Sequence, residues 1–168
     1  IGWHPCGRII LEELGELLPE GSSTVILHDP IIGIDPSPDL AGELRLKYEL
    51  REGDTTNRST LKSLDLKKFD HVVVLNHTND LSKESADNHS LVALIHLRDI
   101  CTTMSLNLNI VCEIIDIRNR NLMSEGTNDD FIASEELVSR IMVQLSENEG
   151  LEGIFKYLLT SEGCEFHV

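Results

Sequence analysis

The chain has 168 residues, a hydrophobic fraction of 40% and a formal net charge of −15. That length suits one domain with a small appendage and is enough to bury a sizeable core. Fourteen Lys and Arg against 29 Asp and Glu argue against a nucleic-acid partner, which needs clustered cations. No apolar run approaches the ~20 residues of a membrane span, and no signal peptide is visible. The four cysteines, Cys6, Cys101, Cys112 and Cys164, form no C-x-x-C pair and read as free, mostly buried thiols in a reducing compartment.

The first stretch organises the rest. Gly2-Trp3-His4-Pro5-Cys6-Gly7 is a tight turn, Arg8 to Leu18 a helix, and Thr24 to Leu27 a buried strand followed by His28 and Asp29. A dinucleotide-binding fold opens this way, with a terminal acid placed to hold a ribose. Gly2 and Gly7 fall on the first and third glycines of G-x-G-x-x-G, while His4 replaces the middle one, where a pyrophosphate approaches the backbone. Gly2, His4, Gly7 and Asp29 are therefore the candidate nucleotide residues, with His4 weakening the cofactor signal. Almost no strand precedes Gly2, so the first strand is expected to be largely missing, with sequence upstream.

The helix carries Ile9, Ile10, Leu14, Leu17 and Leu18 at helical spacing and stops at Pro19-Glu20-Gly21. Asp29 to Gly42 is a loop. Leu44, Leu46, Tyr48 and Leu50 alternate with charged residues, the pattern of a half-exposed strand at a sheet edge. Gly53 to Asn57 is a turn and Thr60 to Leu64 a short helix. His71 to Asn76 is the clearest buried strand. Lys83 to Thr103 is a long helix with Ala86, Leu91, Leu94, Ile95, Leu97 and Ile100 towards the core. Leu108 to Ile115 is a strand, Asp116 to Leu122 a short helix and Phe131 to Ala133 a last strand. Ser134 is placed to cap the next helix, whose face of Leu137, Val138, Ile141, Met142 and Leu145 is either core or interface. Gly150 ends that helix, Leu151 to Leu159 forms another, and Glu162 to Val168 is a tail. Alternating strands and helices predict an α/β fold, a Rossmann-like and mainly parallel sheet with helices on both faces.

Functional groups in such sheets gather beyond the carboxyl ends of the strands. Those ends carry Asp29, Asp54, Asn76 with His77 and Asp80, and Glu113 with Asp116. Loop solvation and helix capping account for any one of them. Together they also suit a hard cation, which takes several carboxylate and carbonyl oxygens. The seven histidines form no zinc pattern, and no nucleophile elbow or P-loop is present. Cys112-Glu113 reads as strand core beside an acid, not as a catalytic pair.

Several segments resemble one family. Gly53-Asp54-Thr55-Thr56-Asn57 through the buried strand Asp70 to Leu75 looks like a domain that regulates potassium conductance, an RCK domain, in which a Gly-Asp turn follows the third strand. Ser90 to Ile100, Glu113 to Leu122, Ser134 to Ser139 and Glu162 to Val168 resemble the CASTOR/POLLUX ion-channel family, so the likeness covers nearly the whole chain. It implies an N-terminal lobe over 1–149, with a crossover helix and the start of a following segment over 150–168. It implies no catalysis, a homo-oligomeric gating ring of sister RCK domains, and a channel pore in upstream chain, the domain lying on the cytoplasmic or luminal side of the membrane. It suggests calcium, with Asp54, Asp80, Asp87, Glu113 and Asp116 as the positions carried over. The departure at His4 counts against NAD. The alternatives are an NAD-dependent enzyme or nucleotide-binding regulator, and an assembly domain that binds nothing.

Overall fold

The structure is a computed structural model that describes residues 1–32, 34–76, 82–122, 130–148 and 150–160. Asp80 and the tail at 162–168 lie outside the described residues. In chain order the elements are α1 (Gly7–Leu17), β1 (Ser23–His28), β2 (Lys47–Glu52), α2 (Arg58–Ser63), β3 (His71–Val74), α3 (Lys83–Met104), β4 (Asn109–Ile114), β5 (Asp130–Ala133), α4 (Ser134–Glu147) and α5 (Leu151–Leu159). Short 3₁₀ helices at Leu66–Lys68 and Ile117–Leu122 precede β3 and follow β4.

All strand pairs are parallel: β1 with β2, β3 with β4 and β4 with β5. The two ladders are joined by the first two residues. The Ile1 nitrogen donates to the Val73 carbonyl at 2.7 Å, and the Ile1 carbonyl accepts from the Leu75 amide at 2.8 Å. Gly2 N–H then donates to the Leu27 carbonyl at 2.8 Å. Ile1 and Gly2 therefore stand where a central strand would run, giving the order β2-β1-(Ile1–Gly2)-β3-β4-β5. That is the order of a doubly wound dinucleotide fold, with the reversal of direction between Gly2 and β3.

Adjacent residues of a strand face opposite sides of its sheet. Leu27 of β1 joins the main core with Leu61 of α2 and Leu94, Leu97 and Ile100 of α3. Its neighbour Ile26 joins a second core with Trp3, Leu11 of α1, Leu40 and Leu46. Helices thus cover both faces, as the alternation predicts. β2 forms the sheet edge, as its charged alternation predicts, although it begins only at Lys47.

Two expectations need correction, and the open reading of the α4 face narrows. Ile95 does not face the core and is 59% exposed, because the buried stripe of α3 runs through Asp87, Ser90, Ala93, Leu94 and Leu97 and leaves Ile95 on the far side. Ser134 is the first residue of α4 rather than its cap. Ala133 holds the cap position, where a methyl group can accept no hydrogen bond. The apolar face of α4 covers no core: neither α4 nor α5 has a buried residue, and Met142 is 64% exposed.

Leu94 is fully buried while Ile95 is not. Leu94→Ala should lower stability by about 2–5 kcal/mol, measured by urea unfolding. Ile95→Ala should change it by no more than about 0.5 kcal/mol.

Candidate functional site

The carboxyl ends of the strands bring the glycine turn, Asp29, Asp54, Asn76, Glu113 and Asp116 to one rim. Two regions of that rim are built differently.

The first is the turn between Ile1 and α1. Gly2 has a φ of +80°, a conformation glycine adopts without strain. Trp3 then folds inward and is 2% exposed, its indole N–H donating to Asp39 Oδ2 at 2.9 Å. A Cβ at Gly7 would lie 2.8 Å from the Trp3 ring, so the third glycine makes room for the indole. Arg8 donates to the Asp39 and Ala41 carbonyls at 2.8 and 2.9 Å and ties the 36–41 loop over the start of α1. His4 turns its Nδ1 onto the Cys6 amide at 3.1 Å, and its carbonyl accepts from Gly7 at 2.7 Å. An amide at the mouth of the helix, where a phosphate oxygen would sit in a dinucleotide fold, is already engaged by an imidazole. Asp29 is buried, and its Oδ1 accepts from the Ile31 amide at 2.8 Å and from the Ile32 amide at 3.4 Å, an Asx turn. The preceding His28 is buried with no hydrogen-bond partner on either ring nitrogen.

The second region lies beyond β3 and β4. Asp87 of α3 is 0% exposed, and its two oxygens accept four hydrogen bonds. Oδ1 takes the Asn76 side-chain amide at 2.7 Å and the Ile115 backbone amide at 2.8 Å. Oδ2 takes the Asp116 backbone amide at 2.9 Å and the Asn119 side-chain amide at 2.7 Å. Asn76 is also fully buried, and its backbone N–H donates to Glu113 Oε2 at 3.2 Å. Asp116 accepts two hydrogen bonds of 2.9 and 2.8 Å from Arg118 Nε. Beside it a cavity of about 430 Å3 is lined by Lys83, Glu84, Asp116, Arg118, Glu135 and Ser139, and Lys83 pairs with Glu135 across it.

Asp54 belongs to neither region. It follows β2, and its Oδ1 accepts from the Thr56 hydroxyl at 2.6 Å and the Thr56 amide at 2.8 Å, which together hold its carboxyl below the usual range. Four strand spacings separate β2 from β4 in the sheet order, roughly 19 Å at ~4.8 Å per strand. Asp54 and Glu113 of one chain therefore do not reach a common ion, whose ligands stand ~2.5 Å away. Among the described residues no three His, Cys, Asp or Glu side chains form a metal-sized group. Asp87, Glu113 and Asp116 do come together, through Asn76 and the chain after β4. Cys6 is exposed and Cys101 and Cys112 are buried, while Cys164 lies outside the described residues.

Asn76 and Asn119 carry more of this arrangement than their sequence positions suggest. The readable signal was Asp87 itself. Asp87, Ser90, Leu94, Leu97 and Cys101 recur at helical spacing along the buried stripe, and a carboxylate on such a stripe requires donors from neighbouring elements.

The fold defines a Rossmann-like α/β domain with a mainly parallel sheet. Residues 1–133 match the TrkA-N domain family, and the chain belongs to that family. It is 28% identical over 163 residues to the ion channel CASTOR of Lotus japonicus, covering 80% of this chain and 19% of that protein. It is 28% identical over 156 residues to the ion channel POLLUX of the same plant, covering 76% of this chain and 17% of that protein. A probable ion channel CASTOR of Oryza sativa subsp. japonica is 26% identical over 202 residues, covering 99% of this chain and 23% of the relative. The chain thus spans about a fifth of the length of these relatives. Among the described residues no helix is long and apolar enough to cross a membrane.

Arg118 hydrogen-bonds the Asp116 carboxyl and pushes its pKa from 3.8 down to about 2. The depressed value means that the pairing contributes fully above the ordinary pKa and is lost as pH falls towards 2. Arg118→Ala should return the Asp116 titration towards 3.8, read from its side-chain carboxyl carbon by NMR.

Proposed function

We propose that this chain is the regulatory domain of a cation channel, binding a ligand at the rim of its sheet to control a pore carried elsewhere in the protein. The observation that supports it is the family match over residues 1–133 together with relatives named as ion channels. The mechanism is linkage. A ligand that prefers one arrangement of assembled domains shifts the population towards it, and the work comes from differential contacts rather than chemistry. Calcium is the proposed ligand, because the rim is acidic and hard cations take oxygen ligands. Glu113 and Asp116 lie on its better-organised half, with Asp54 and Asp80 as further positions. Asp87 supports them from behind, since its oxygens already accept four N–H groups.

A second reading, nucleotide sensing, keeps Gly2, His4, Gly7 and Asp29 as its contacts. The fold of the first turn favours it. The imidazole of His4 on the Cys6 amide and the Asx turn at Asp29 stand against it.

Assembly into a ring of sister domains is part of the proposal. Met142 and Val143 of α4 and Ile154, Tyr157 and Leu159 of α5 are all more than half exposed, a concentration of apolar surface that monomeric domains rarely carry.

Two measurements test these readings. Thermal unfolding with millimolar calcium should show a stabilisation that magnesium and NAD do not reproduce, about 2.7 kcal/mol at a hundredfold excess over Kd. Glu113→Ala should abolish it. A rise with NAD alone, removed by Asp29→Ala, replaces calcium with the nucleotide reading, and no rise with any of the three overturns ligand sensing. Separately, sedimentation of the chain should show self-association that Met142→Glu weakens at least tenfold; a monomer at all concentrations overturns assembly through this face.

A further inference from the structure

We infer that Asp87 is a conformational latch. It fastens the turn after β4 to α3 and to the end of β3, so that this half of the rim moves as one body. Two separate pieces of chain converge on one carboxylate: the Asn76 side chain just after β3, and the stretch after β4 that supplies the Ile115 and Asp116 amides and the Asn119 side chain. None is close to Asp87 in sequence; the separations are 11, 28, 29 and 32 residues. Each element end is a place where backbone groups lose their ladder partners, and here the missing acceptor comes from the side chain of a helix.

The donors are all N–H groups, and no Lys or Arg pairs with Asp87 among the described residues. The latch therefore depends on four directional hydrogen bonds and not on a screened ion pair. It also propagates. Asn76, held by Asp87 through its side chain, passes its own N–H to Glu113 Oε2 at 3.2 Å. Asp116, held through its backbone, presents its carboxyl to Arg118. Glu113 and Asp116 are thus set in position by one residue that the solvent does not reach. The inference concerns the positions of these groups and holds whichever ligand the rim takes.

A carboxamide at position 87 would turn an NH2 group towards two N–H donors and break at least two of the four bonds. In Asp87→Asn the Ile115 and Asp116 amides should exchange with deuterium at least tenfold faster than in the unaltered chain, followed residue by residue by NMR. The amides of Ile26 and Leu27 in β1 should keep their rates. Asn119→Ala removes a single donor from the half-buried side of the carboxylate and leaves the other three. It should speed exchange at Asp116 severalfold with no effect in β1, and it decides the matter if Asp87→Asn does not fold. Unchanged exchange at Ile115 and Asp116 in a folded variant overturns the latch. So does uniform acceleration through both halves of the sheet in Asn119→Ala, which would make the carboxylate a general stabiliser rather than a local fastening.

Discussion

Among the described residues, three backbone hydrogen bonds join the two ladders of the sheet. Ile1 bonds Val73 and Leu75 on one side, and Gly2 bonds Leu27 on the other. Parallel strands are stable when buried on both faces and paired along both edges. The join runs directly into the glycine turn at Gly2. Sheet continuity and the geometry of the rim are therefore settled by the same few atoms.

The two halves of the rim follow different logic. On the Gly2 side, groups that could meet a ligand are turned onto the chain itself: His4 onto Cys6, Trp3 onto Asp39, Asp29 onto its own loop. On the β3–β4 side, a buried carboxylate organises its neighbours, and the acids in front of it, Glu113 and Asp116, are half-buried. A domain of this family can thus keep the dinucleotide topology while its polar groups at the first turn serve the fold.

Much of this was legible in the sequence because it rests on periodicity. His71 to Asn76 reads as a buried strand from its run of valines, and Val72 and Val74 are in the core. The helix over Lys83 to Thr103 reads from its apolar spacing and ends one residue later, at Met104. Ile95 misleads because an apolar residue beside a buried stripe is indistinguishable from one on it until the neighbouring strands fix the angle of the helix. The hydrogen bonds of the rim were less legible for a different reason. Asp29 and Asp54 read equally well as ligands and as caps, and only the positions of the amides two residues on separate the two. The role of Asp87 needs β3, β4 and α3 assembled at once, since no pair of its partners is defined by local sequence. The face of α4 reads as amphipathic, yet amphipathicity alone does not say whether a sheet or a second molecule lies opposite.

The uncovered helices have a further consequence when set beside the charge. A chain with a net charge of −15 repels its own copies, and that repulsion acts over about 10 Å at 0.1 M salt and less at higher concentration. Attraction between apolar helix faces is not screened in this way and strengthens with salts that are excluded from protein surfaces. Association through these faces, as proposed, would therefore be opposed in dilute buffer and favoured as ionic strength rises, the reverse of an interface built from ion pairs. Dense local tethering of several copies would have the same effect as added salt, bringing the helices together where free chains would stay separate.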